Sequence, residues 1–182
     1  MQYFKRDDTS IRELQHKFRV LGDRIEKGDE SELLIWVIPT QLACSHRPLR
    51  HNPLYGGSLR NLDVGATDLV KQWAKRVYAD GIRSIICLMS EEELALYSSL
   101  DLDAANLLNF YVHQGFFVAN TPWKDPAHVR NDPKALREKE KEVCVQALRQ
   151  YDTLPKPVLL HCSAGIDRSS PVAVYIQHFR LI

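Results

Sequence analysis

PVLLHCSAGIDRSSPVAVYI, Pro157 to Ile176, decides the fold. PVLLH is a short apolar run that suits a buried strand, and Arg168 to Ile182 reads as a helix. Between them lies a tight arc of small residues, Ser163, Ala164 and Gly165, followed by Ile166 and Asp167. A strand that feeds a helix through such an arc is a unit of an open α/β sheet, and such sheets bind ligands beyond the carboxyl ends of their strands. An arc at a helix start turns several backbone N–H groups inward, where they and the helix dipole favour an anion or a thiolate. Cys162 stands at the strand end as a candidate nucleophile. Arg168 offers a planar fork for two oxygens of a tetrahedral anion. Ser169 is placed to donate a hydrogen bond to the sulfur.

Outward from this unit, other strands and helices alternate. Leu33 to Ile38, Ile82 to Leu88 and Phe116 to Ala119 read as strands, the first two buried. Thr9 to Ile25 has Ile11, Leu14, Phe18, Leu21 and Ile25 on one helical face. Leu69 to Tyr78 repeats that spacing and stops at Asp80-Gly81, where glycine takes a left-handed turn. Glu91 to Tyr97 and Ala104 to His113 read as two further helices. Asp132-Pro133 caps a helix that runs to about Tyr151. Ser45 to Arg60 and Thr121 to Asn131 read as loops. Trp36, Trp73, Phe110, Tyr111, Phe116 and Phe117 read as core. The expected fold is therefore α/β, a mostly parallel sheet of about four to five strands flanked by helices. Residues 1–30 form an N-terminal helical extension that packs on the domain or docks a partner, and residues 31–182 form the domain itself.

Composition bounds the function. The chain has 182 residues, 45% of them hydrophobic and 26% charged, a globular balance. Lys plus Arg number 24 against 23 Asp plus Glu, and the net charge of +1 argues against nucleic acid or an anionic membrane as a bulk partner. The longest apolar run, LLIWVIP, is far short of the roughly 20 residues of a membrane span. Four dispersed cysteines (Cys44, Cys87, Cys144, Cys162) without a CxxC pair fit a reducing, cytoplasmic compartment. Cys44 and His46 lack further ligands nearby for a metal, so neither metal nor cofactor is expected.

The string HCSAGIDRS resembles the HC-x5-R-[ST] signature of the cysteine-dependent protein tyrosine and dual-specificity phosphatases. LACSHRP (Leu42 to Pro48) and GIRSIICLMSEEEL (Gly81 to Leu94) are similar to segments of their small dual-specificity-like members, so the resemblance spans about Leu33 to Ile182. It implies metal-free hydrolysis of phosphate monoesters through a phosphocysteine, on a phosphotyrosine-phosphatase-like fold. Cys162 is then the nucleophile, Arg168 binds phosphate, Ser169 assists the second step and His161 tunes the thiolate, with residues 161–167 as the phosphate loop. The expected substrate is a phosphorylated protein. Phosphoinositide, inositol phosphate or RNA 5′-triphosphate is the alternative, the last being the one case with a nucleic-acid partner. A phospho-binding pseudophosphatase is the alternative of another class. Relatives also carry further helices beyond the one after the loop. The end at Ile182 therefore implies either a truncated domain or a face covered by the N-terminal helix.

The general acid has two candidates. Asp125, in TPWKDPAH, lies on a loop upstream of the cysteine, as the family's acid does, although Lys124 stands where the family's Trp-Pro-Asp order has proline. Trp123 would seat that loop. Asp167 is the second. A carboxylate about 5 Å from a thiolate would repel it by about 3 kcal/mol at an effective dielectric near 20. Asp167 therefore points outward and ionised, or inward and protonated, and in the second case it is itself an acid. An aspartate before the arginine also resembles the loops of myotubularin and Sac-type phosphoinositide phosphatases and of certain secreted bacterial phosphatases; Ile166 stands where the bacterial loops have lysine. Asp132 reads as a cap and Asp152 as a helix-end residue. Cys87 reads as a buried strand residue, with a reversible disulfide to Cys162 as the alternative. His46, Arg47, Arg50 and His51 read as a solvated basic loop, with recruitment of a second phosphate or an acidic substrate as the alternative.

Overall fold

The computed structural model describes residues 6–128 and 132–181. The end of the Thr121–Asn131 loop and the last residue of the closing helix lie outside them. Five strands form one sheet: β1 (Ile35–Ile38), β2 (Leu42–Ser45), β3 (Ser84–Cys87), β4 (Phe117–Asn120) and β5 (Val158–His161), in the order β1-β2-β5-β3-β4. β5 is central and parallel to both β2 and β3, β4 runs parallel to β3, and β1 is antiparallel to β2. Among the described residues six α-helices accompany them: α1 (Asp8–Glu26), α2 (Thr67–Ala79), α3 (Glu91–Leu94), α4 (Leu107–His113), α5 (Pro133–Thr153) and α6 (Ser169–Arg180).

Period-two alternation assigns the faces. In β5, Val158 and Leu160 enter one core layer with α1, α5 and α6, while Leu159 enters the other with α2 and α4. His161 continues the second face, where its ring meets Tyr111 and Trp73 edge-on. Cys162 returns to the first. The register aligns Ser45, His161 and Cys87, with Asn120 beside Cys87. The chain therefore leaves β2, β5, β3 and β4 at one edge of the sheet, and four loops converge there.

Sequence signals account for the helix ends. Asp7 caps α1 by accepting from the N–H groups of Thr9 and Ser10. Asp132 caps α5 by accepting from Lys134, with Pro133 in the first turn, as the Asp-Pro pair predicts. The predicted face of α1 is buried (Ile11, Leu14, Phe18, Leu21 and Ile25), and the helix packs on the domain against α6.

Four readings are corrected. Leu42–Ser45 is a fully buried strand, although Leu42 to Cys44 have no assignment from the sequence and Ser45 reads as the start of a loop. Leu33 to Ile38 is not a buried strand: β1 is the antiparallel sheet edge, and Trp36 is 39% exposed. Phe117, on the opposite edge strand, is 57% exposed and lies outside the core, whereas Trp73, Phe110, Tyr111 and Phe116 lie within it. The helix expected from Ala104 begins at Leu107, where Asn106 accepts from the N–H of Asn109.

Candidate active site

The loop after β5 curls around the sulfur of Cys162. Gly165 takes φ +76, a left-handed conformation open to glycine, and its N–H points to Cys162 Sγ at 3.2 Å. Beneath it lies Phe18 of α1: a Cβ at position 165 would sit 2.1 Å from Phe18 Cε1. Gln15, also on α1, donates from Nε2 to the Ile166 carbonyl at 3.0 Å. Ser170 N and Oγ both donate to the Gly165 carbonyl, fixing the loop to the first turn of α6.

Arg168 is fully buried and clamped by Glu93, whose Oε2 and Oε1 accept from Nη1 and Nη2 at 2.6 Å each. Nη1 also donates to the Trp123 carbonyl at 2.8 Å, and Nη2 reaches Asp125 Oδ2 at 3.4 Å. Nε is buried with no hydrogen-bond partner among the described residues. Burial pushes the guanidinium pKa down, but the charges of Cys162, Glu93 and Asp125 outweigh it and leave the pKa raised. Burial alone would raise Glu93, yet the hydrogen bonds and charge of Arg168 lower it. Both partners therefore stay ionised.

Glu93 is the residue that the sequence reading missed. Its signal was present: Ser90-x-x-Glu93 is a capping box, in which Ser90 Oγ accepts from Glu93 N while Glu93 accepts from Ser90 N. That box opens α3 just beyond β3 and turns the carboxylate inward.

Trp123 seats the loop that carries Asp125. It is 4% exposed and its N–H donates to the Leu88 carbonyl at 3.2 Å. Asp125 Oδ1 accepts from Ala127 N at 3.0 Å, so Oδ2 remains beside the guanidinium. Asp167 is exposed; partial burial and the charge of Asp125 raise its pKa, against the opposing pull of Arg168, Arg19 and His128. Two carboxylates thus stand by the mouth of the loop, one against the arginine and one facing outward.

His161 is fully buried, with Nδ1 3.1 Å from the Cys162 carbonyl and Nε2 3.3 Å from Tyr111 Oη. Burial lowers its pKa to about 4, so the ring is neutral. The expected donation from Ser169 to sulfur is not made: Ser169 Oγ is buried without a hydrogen-bond partner among the described residues. Cys87 is free and lies in the α2/α4 core layer, opposite to that of Cys162, and burial pushes its thiol up to about 12. No group of three or more His, Cys, Asp or Glu placed to hold a metal ion occurs among the described residues. No helix described is long and apolar enough to cross a membrane.

The basic segment after β2 is not a solvated loop. His46 and Arg47 are 4% and 1% exposed, and both brace the loop after β5. Arg47 N donates to the Ser163 carbonyl at 2.9 Å, Arg47 Nε to Ser163 Oγ at 3.4 Å, and His46 Nδ1 lies 3.1 Å from the Ala164 carbonyl. Comparison of the chain with models of protein families, with curated proteins and with solved structures gave no match.

Proposed function

We propose that the protein hydrolyses phosphate monoesters through a phosphocysteine intermediate, with phosphorylated protein as the substrate class, in the manner of the phosphotyrosine and dual-specificity phosphatases that its loop resembles. The observation that carries this reading is the pairing, in one loop, of a sulfur approached by a backbone N–H and a buried arginine held flat by a carboxylate. A buried donor without a partner is rare in folded proteins. Arg168 Nε is such a donor, and a phosphate oxygen would satisfy it.

In the first step the Cys162 thiolate attacks phosphorus. The S–P bond forms, the ester P–O bond breaks, and the leaving oxygen takes a proton from Asp125. In the second step water gives a proton back to the Asp125 carboxylate and attacks phosphorus; the S–P bond breaks, releasing orthophosphate and the thiolate. Arg168 and the loop N–H groups neutralise the three phosphoryl oxygens throughout. Asp125 is favoured as acid because it lies against the phosphate-binding arginine, whereas Asp167 faces solvent. The raised pKa of Asp167 keeps it as the second candidate.

Single-turnover kinetics on aryl phosphates separates these roles. Cys162→Ser should abolish turnover. Asp125→Asn should slow poor leaving groups by about 10²–10⁴-fold and good ones far less. If Asp167→Asn shows that pattern and Asp125→Asn does not, the acid is Asp167. No turnover of any phosphate monoester by the unmodified protein would remove the reading.

A further inference from the structure

We infer that the cleft beside the phosphate loop, walled by Arg47, Arg50, His51 and Arg76, is a second anion site that takes a phosphate group. The cavity measures about 120 Å³, space for a few water molecules or one tetrahedral anion. Its bearing on substrate choice rests on the phosphatase reading; its capacity to bind an anion does not.

Buried arginines are normally paired with carboxylates. Arg47, 1% exposed, donates to Tyr97 Oη, to the carbonyls of Pro48 and Gly57 and to Ser163 Oγ, all of them neutral acceptors. Arg50, half-buried on the same wall, has its Nε enclosed with no partner. Among the described residues neither arginine lies within ion-pair distance of a carboxylate. Two acids are near but pair with neither arginine: Glu26 binds His51 Nδ1 at 2.6 Å, and Glu30, itself exposed, lines the cleft. Arg76 adds a third guanidinium, which donates to the Ser31 carbonyl at 3.1 Å.

Electrostatics agrees with this geometry. Burial and the neighbouring charge of Arg47 both lower the Arg50 pKa, and the anions that oppose them are Glu26 first, then Asp125 and Cys162. Arg50 thus lies within the field of the catalytic loop as well as on the cleft. The wall is also mechanically joined to that loop, because Arg47 holds Ser163 and His46 holds Ala164. A phosphate in the cleft would supply the missing counter-charge and press on the loop that binds the scissile group.

Calorimetric titration with inorganic phosphate tests the inference. Two sites are expected, with Arg50→Ala removing one and Arg168→Ala the other. Unchanged stoichiometry and affinity in Arg50→Ala would overturn it. Should Arg50→Ala melt early, Arg50→Gln, which keeps a polar stem, carries the same comparison. A single site in the unmodified protein, removed by Arg50→Ala and untouched by Arg168→Ala, would instead count against the phosphatase reading and leave the cleft standing. Kinetics then identifies the source of the anion. A bisphosphorylated substrate preferred at least about tenfold in kcat/KM over its monophosphate, with the preference lost in Arg50→Gln, assigns the site to a second phosphate on the substrate. Two-site binding without that preference assigns it to free phosphate.

Discussion

Glu93 is the residue on which the proposed phosphate fork depends. A guanidinium free to rotate loses the planar match that makes it a phosphate ligand. Glu93 removes that freedom by engaging both terminal nitrogens, and the capping box fixes Glu93 in turn. Because the pair is buried, removing one partner strands the other charge. Glu93→Ala should therefore lower stability by about 3–5 kcal/mol in urea unfolding. Glu93→Gln keeps a hydrogen-bonding carbonyl and should cost less, about 1.5–3 kcal/mol, because bonds to a charged group are lost or weakened. A merely structural role would stop there. A positioning role adds weaker binding of a phosphate mimic: orthovanadate inhibition of Glu93→Gln should weaken by about tenfold, or 1.4 kcal/mol. Wild-type inhibition in a folded Glu93→Gln protein would show that the carboxylate does not position the fork.

At the scale of elements, α1 is the floor of the loop between β5 and α6. Its buried Phe18 ring occupies the space a side chain at position 165 would need, and glycine alone fits there at φ +76. Gly165→Ala meets both a clash and backbone strain. Phe18→Ala opens a cavity that should cost about 3–5 kcal/mol. The cavity also makes room for the new methyl, so the double variant should be more stable than the sum of the singles by at least about 1 kcal/mol. Strict additivity in denaturant unfolding would show that α1 does not set the loop. How far the sequence reveals this is instructive. The apolar face of α1 is legible because period 3.6 is written directly in the chain, but its target, a glycine nearly 150 positions away, has no local signal. The HC-to-R string likewise marks the loop that brings Cys162 and Arg168 together. Leu42–Ser45 escapes because three apolar residues and a serine that run into His-Arg-Pro carry no period of their own; only pairing with β1 and β5 makes them a strand. Glu93 escapes because Glu91, Glu92 and Glu93 look alike until the helix phase separates them. Trp36 and Phe117 are misplaced because an edge strand and a buried strand share the same apolar composition, and position in the sheet decides exposure.

For the whole molecule, two enclosed imidazoles tie the fold to pH. His161 sits between the central strand and the α2/α4 layer, and burial holds its pKa at about 4 against the raising influence of the Cys162 carbonyl and Glu93; Arg47 and Arg168 lower it further. His46, packed against Phe18 and His51, is held at about 3, chiefly by burial and then by the charge of His51. Both are depressed from 6.5, so the unfolded chain binds protons that the folded chain refuses. Their contribution is complete above the unfolded pKa near 6.5 and is lost as pH falls towards the folded values. Each proton refused steepens the fall by up to about 1.4 kcal/mol per pH unit, and the His161 shift alone corresponds to roughly 3 kcal/mol. Glu93 adds its own loss, but only below its unfolded pKa near 4.5, so the window between pH 6 and 5 belongs to the histidines. Urea midpoints taken from pH 7 to pH 4.5 at fixed ionic strength should therefore fall steadily, starting above pH 5. His161→Gln, which can still face Tyr111 and the Cys162 carbonyl, should remove up to about 1.4 kcal/mol per pH unit of that slope. A profile flat from pH 7 to pH 5, or one unchanged by the substitution, would mean that the His161 imidazole is charged or open to water, and that the layer between the sheet and α2/α4 is not sealed as described.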